Sequence, residues 1–151
     1  VRNHYGAEIA NSVARRLVMH GHRHGGQAQF IEQPVAKTGG SHRLSDMMDH
    51  VRSSLAEPHR ISSMAEQAGM SPRTFQRQFQ NHVGLPAMQW LAHERVTRAC
   101  QLLETTTQSI DVISQTVGFD SADRLRYHFR SVLAVSPADY RKSFHRPNES
   151  T

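Results

Sequence analysis

An all-α fold is what this sequence predicts, and three observations predict it. From residue 43 onward, apolar side chains recur at three- and four-residue spacing, and no alternating strand pattern of useful length appears. Glycines, prolines and serines cut that pattern into about seven segments of helical length. A pair of those segments then recurs later in the chain with the same inward residues.

The elements follow in order. Leu44, Met47, Met48, Val51 and Leu55 predict a first helix that stops before Pro58. Ile61, Met64, Ala65 and Ala68 predict a short second helix ending at Gly69. Ser71-Pro72 supplies an N-cap and a proline at the first helical position. The third helix buries Phe75, Phe79 and Val83 and closes at Gly84. Pro86 opens a long fourth helix with Trp90, Leu91, Val96, Ala99, Leu102 and Leu103 on its apolar side, ended by Thr105-Thr106-Thr107. Ile110, Ile113 and Val117 predict a fifth helix ending at Gly118. Ser121 caps a sixth with Leu125, Phe129 and Val132 inward. Ser136-Pro137 opens a seventh through Tyr140 and Phe144.

Set against 110–132, residues 61–83 match Gly69 with Gly118 and, once the extra residue between Gly118 and Ser121 is allowed for, Phe75 with Leu125 and Phe79 with Phe129. Ser71 and Ser121 both cap the helix that follows. Each unit is therefore a short helix, a glycine corner and a second helix, the form of a helix-turn-helix. Ala65 and Ser114 keep the first helix slim where the second crosses it. The long helix from Pro86 to about Glu104 spans ~28 Å at 1.5 Å per residue. It is expected to hold both second helices on one side, ~34 Å apart, one turn of duplex DNA.

Upstream of this region, Ile9, Ala10, Val13, Ala14, Leu17 and Val18 mark one helix. Residues 25–42 (GGQAQFIEQPVAKTGGSH) have linker composition. A lone helix this short has nothing to bury its stripe against. The chain, which opens on Val1, is read as a piece of a longer protein. Residues 1–42 are the terminal helix of an upstream domain plus linker, 43–146 the two-unit domain, and 147–151 a polar tail.

Eighteen Lys and Arg against thirteen Asp and Glu give a net charge of +5 in 151 residues. Sixteen of the eighteen are arginine, whose planar fork grips phosphate or guanine with two bonds. A polyanionic partner is expected. No run of 18 apolar residues exists, so no membrane-spanning helix is predicted. The single cysteine, Cys100, excludes an intramolecular disulfide and fits a reducing cytoplasm.

The arrangement of the charges narrows the partner to duplex DNA. Opposite Phe75 and Phe79, the third helix carries Arg73, Gln76, Arg77 and Gln80, side chains suited to guanine and adenine edges. Opposite Leu125 and Phe129, the sixth carries Ala122, Asp123, Arg126, Tyr127 and Arg130. Any surface helix is polar, so one such face is weak; two equivalent faces on two equivalent units are not. Asp123 repels phosphate. It either accepts from a cytosine amino group or pairs with Arg126 three residues on, and the pairing is the favoured reading.

These residues resemble the AraC/XylS family of bacterial transcription regulators from about Arg43 to Phe144. The motifs are Ala65…Gly69-Met70-Ser71-Pro72-Arg73-Thr74-Phe75…Phe79, then Gly84…Trp90-Leu91…Arg95…Ala99…Leu102-Leu103. They continue with Ile110…Ile113…Val117-Gly118-Phe119…Leu125-Arg126…His128-Phe129-Arg130 and Val135-Ser136-Pro137…Tyr140-Arg141. The resemblance implies two helix-turn-helix units in successive major grooves. It places Arg73, Thr74, Gln76 and Arg77, then Ala122, Asp123, Arg126 and Tyr127, at bases or nearby phosphates. It also implies RNA polymerase as a partner and oligomerisation through a missing N-terminal domain. Arg60 departs from the family's frequent capping Ser or Thr, and Ser114 from a frequent alanine. Ala14-Arg15-Arg16-Leu17-Val18 and Gly25-Gly26-Gln27-Ala28-Gln29-Phe30 are similar to the branch with an N-terminal class I glutamine amidotransferase-like domain.

Other chemistry is set aside. His20, His22 and His24 alternate beside glycines with no carboxylate close by, so no metal is expected. Cys100 beside the apolar stripe reads as a buried structural thiol, and Trp90 as a core anchor. Gly39-Gly40 lacks the lysine–serine ending of a phosphate loop. No catalytic constellation and no cofactor site is expected. The expected function is sequence-specific DNA binding in transcription regulation. The alternative is a protein-interaction or effector-sensing helical module, which needs an exposed apolar groove.

Overall fold

The structure, a computed structural model, describes residues 38–145. All of its regular structure there is helical: α1 Thr38–Ser53, α2 Ile61–Gln67, α3 Pro72–Val83, α4 Ala87–Thr105, α5 Ile110–Val117, α6 Ala122–Leu133 and α7 Pro137–Phe144. The chain divides into two compact units that meet within α4, between Glu94 and Arg95. The helix expected upstream, the histidines at 20, 22 and 24, and the expected tail from 147 lie outside the described residues.

In the first unit, α1 buries Leu44, Met47, Met48 and Val51 as expected, while Leu55 lies past its end at Ser53 and is half-buried. Its start differs from expectation. Gly39 and Gly40, read as linker, lie inside the helix, so residues 38–42 are helical. A Cβ on Gly40 would stand 3.1 Å from Oε1 of Gln78 in α3, the end of a flexible side chain that can give way, so the helix runs through this glycine without requiring it. Ser53 and Ser54 donate to the His50 carbonyl at 2.6 and 2.8 Å and end the helix. His59, buried in the connection to α2, donates from Nε2 to the Ser54 carbonyl at 2.7 Å.

Arg60 is the N-cap of α2 and, having no acceptor, makes no side-chain cap. Ser63 compensates: its hydroxyl accepts from the Arg60 N–H at 3.1 Å and donates to the Arg60 carbonyl at 2.9 Å. Met64, Ala65 and Ala68 are fully buried. Gly69 turns the corner at φ +67°, a left-handed conformation that penalises any Cβ. Ser71 then caps α3 by accepting from the Thr74 N–H at 3.3 Å, with Pro72 at the first turn. Phe75, Phe79 and Val83 face inward. Phe79 lies 5.6 Å from Phe75 and 5.5 Å from Trp90, edge-on to the indole. Ala87, Trp90 and Leu91 of α4 complete this core.

The second unit repeats the plan. Val96, Ala99, Cys100 and Leu103 of α4 form one wall of its core. Ser109 caps α5, Gly118 turns at φ +100°, and Ser121 caps α6 by accepting from the Arg124 N–H at 3.2 Å. The small residue in α5 is Ser114, almost fully buried, its hydroxyl donating to the Asp111 carbonyl at 2.7 Å. Leu125 and Phe129 are inward as expected, but the third inward residue is Leu133, and Val132 is only half-buried. Ser121 stands three residues past Gly118, where Ser71 stands two past Gly69, and this added residue shifts the register of everything after it.

With the shift included, the likeness reaches further. Trp90 and Tyr140 occupy matching places, and Tyr140 lies edge-on to Phe129 at 5.4 Å as Trp90 does to Phe79. The Tyr140 hydroxyl donates to the Glu104 carboxylate. Arg141 reaches the carbonyls of Leu103 and Thr106 at 3.4 and 3.3 Å, and His145 donates to the Leu103 carbonyl at 2.9 Å. The Arg141 cation and the His145 ring N–H thus close the C-terminal end of α4, where the helix dipole favours positive charge and donors.

Candidate nucleic-acid interface

The outer face of each second helix is set by its inner stripe. With Phe75, Phe79 and Val83 buried, Arg73, Gln76, Arg77 and Gln80 are left exposed on α3, as expected. Thr74 is half-buried, and its hydroxyl accepts from Ser71 Oγ at 3.0 Å, so it serves the cap from inside the first turn. Arg73 and Arg77 make no ion pair among the described residues. Their guanidinium N–H groups remain available to an acceptor.

On α6, Asp123, Arg126, Tyr127 and Arg130 are exposed, and Tyr127 keeps 69% of its surface in solvent. Ala122 is a correction. It is 8% exposed, because it lies three residues before Leu125 and so belongs to the buried stripe with Leu125, Phe129 and Leu133. It is not on the outer face. Asp123 Oδ1 pairs with Arg126 Nη1 at 2.9 Å, the favoured reading of that carboxylate.

Two groups at this site were not singled out from sequence. Arg124 is exposed on the first turn of α6, in the place that Thr74 holds on α3. Its signal was present, since it follows the Ser121 cap as Thr74 follows Ser71. The second group supports the helix from beneath. The His128 ring stacks on Phe119 at 5.2 Å and 12°, Tyr127 stands edge-on to His128 at 5.1 Å, and the Arg95 guanidinium lies 5.8 Å from the Phe119 ring centre. Burial, then the charges of Arg124 and Arg95, hold His128 below its ordinary value of 6.5. Spacing alone gives no warning of this column, because His128 sits beside the buried stripe rather than on it.

Cys100 is buried, and burial above all pushes its thiol up to about 12, so it is neutral and unreactive near pH 7. Among the described residues no three His, Cys, Asp or Glu side chains gather as metal ligands. No helix among them is long and apolar enough to cross a membrane. Two outward faces remain, one rich in Arg and Gln, the other in Arg with one acid and one tyrosine. Both are suited to phosphates and base edges.

Known proteins share this fold. The family described as a helix-turn-helix domain matches residues 64–143. The HTH-type transcriptional activator RhaR of Pectobacterium carotovorum is 30% identical over 104 residues, covering 69% of this chain and 37% of that protein. The HTH-type transcriptional regulator Rv1931c of Mycobacterium tuberculosis is 36% identical over 86 residues, 57% of this chain and 33% of that protein. The chain thus spans well under half the length of these curated relatives. The DNA-binding domain of AdpA, a global transcriptional factor solved in complex with a target DNA, superposes with a TM-score of 0.67 at 38% identity. That match covers 70% of this chain and 97% of that domain. An AraC-type regulator from Chromobacterium violaceum superposes with a TM-score of 0.66 at 25% identity, over 73% of this chain and 98% of its own. With the family match covering more than half of its residues, this chain belongs to the AraC-type helix-turn-helix DNA-binding domains.

Proposed function

We propose that this chain is the DNA-binding part of a transcription regulator and reads two successive major grooves, one with α3 and the next with α6. Carrying the reading is the recurrence of one exposed face on two matching units: Arg73, Gln76, Arg77 and Gln80 on α3, and Asp123, Arg126, Tyr127 and Arg130 on α6. Arginine forks address guanine or phosphate, the glutamines address adenine, and Tyr127 offers a ring to a thymine methyl or a hydroxyl to a phosphate. In this reading Thr74 and Arg124, on the first turns, take phosphate contacts that fix register. The AdpA domain supports the reading, having been solved on its target DNA. On the outer faces of α3 and α6 the one large exposed hydrophobic is Tyr127, which disfavours the interaction-module alternative.

In this reading, residues upstream of Thr38 connect to a class I glutamine amidotransferase-like domain that supplies oligomerisation, and the bound protein presents a surface to RNA polymerase in the cytoplasm. The test is a fluorescence anisotropy titration with a duplex selected from a randomised pool and with random duplex, at rising salt. Affinity for the selected duplex falls steeply with salt. Replacing Arg73 and Arg77 together by alanine weakens it about a hundredfold, at about tenfold for each lost bidentate contact. Unchanged affinity in that double variant overturns the assignment of α3.

A further inference from the structure

The ion pair on α6 has no counterpart on α3. Matching positions place Arg73 where Asp123 stands and Gln76 where Arg126 stands, and the outer face of α3 carries no acid. Asp123 is not needed as a cap, because Ser121 already takes the Arg124 N–H. For folding it offers a first-turn acid facing the helix dipole, a small gain at so exposed a place. The side chains of Asp123 and Arg126 are 93% and 52% exposed, and an ion pair this open to water adds little to stability. A carboxylate on a face turned toward phosphates works against binding, so its place there calls for a role in recognition.

We infer that Asp123 is a positioning residue that sets the specificity of α6: it presets the Arg126 fork for one guanine and penalises every other base pair at that place. The inference rests on the proposed function. With Nη1 held by Asp123 at 2.9 Å, the Nε and Nη2 protons of Arg126 remain for guanine N7 and O6. A fork already held loses less side-chain freedom on binding than a free one. At any other base pair, Arg126 is drawn toward phosphate and leaves Asp123 unpaired in a strongly negative field.

The experiment is a double-mutant cycle on the full chain, read as the affinity ratio between the selected duplex and duplexes changed at single base pairs. Arg126→Ala is expected to abolish discrimination at one G·C pair. Asp123→Asn is expected to lower discrimination at that same pair about tenfold while raising affinity for random duplex about threefold, consistent with one mispaired contact and one removed repulsion. The double variant is expected to discriminate there no worse than Arg126→Ala alone. Asp123→Asn acting at a different base pair, or additively with Arg126→Ala, makes Asp123 an independent reader and overturns the inference. Unchanged discrimination in Asp123→Asn overturns it as well. If Arg126→Ala itself changes neither affinity nor discrimination, the fault lies instead in the assignment of α6 as a reading helix.

Discussion

At the scale of single residues, His128 ties recognition to stability. Its ring stacks on Phe119 and meets Tyr127 edge-on, and burial with the nearby Arg124 and Arg95 charges holds its pKa below 6.5. As pH falls, the unfolded chain therefore takes up the proton before the folded one does. The stabilisation is complete above the ordinary value near 6.5 and is lost progressively as pH drops below it. His82, also depressed by burial, adds in the same direction. The melting temperature is expected to fall between about pH 7.5 and about pH 5.5, and His128→Gln is expected to fall less over that interval. Equal slopes in the two proteins contradict the role given to His128. The residues with strong local grammar were legible from sequence: Trp90 as anchor, Cys100 as buried thiol, Asp123 as partner of Arg126. Ala122 was misjudged because a small residue at a helix start carries no hydrophobic signal of its own, and only its three-residue step to Leu125 reveals its side.

At the scale of elements, helix ends explain both what was legible and what was not. Serine caps, first-turn prolines and glycine corners act through neighbouring backbone groups, so Ser71-Pro72, Ser121 and Ser136-Pro137 mark true starts. The start of α1 escaped because Gly39-Gly40 is a linker signal locally, whereas the helix begins at Thr38 and runs through both. The slip from Leu133 to Val132 has the same character, since one added residue between Gly118 and Ser121 moves the downstream register. The unit ends differ instructively. Gly84 closes α3 at φ +86°, while the matching residue after α6 is Ala134, held at φ +62°. A Cβ in that conformation costs about 1 kcal/mol, less whatever freedom glycine adds to the unfolded chain. Ala134→Gly is expected to stabilise the protein by about 0.5–1 kcal/mol, and Gly84→Ala to destabilise it by at least as much, both read from urea midpoints. An Ala134→Gly variant no more stable than the parent rules out this strain.

At the scale of the whole molecule, two separate cores share one helix. Ala87, Trp90 and Leu91 belong to the first core; Val96, Ala99, Cys100 and Leu103 belong to the second. That division explains why the recurrence of one pattern was the most informative feature of the sequence: each copy folds around its own aromatic centre, Phe79 with Trp90 and Phe129 with Tyr140. The account stands on both copies reading one duplex, and hydroxyl-radical footprinting on the selected duplex tests it most directly. Two protected patches are expected, centred about 10 base pairs apart. Arg73→Ala with Arg77→Ala should erase one patch, and Arg126→Ala with Arg130→Ala the other. A single patch, or two patches indifferent to which helix is altered, contradicts the account.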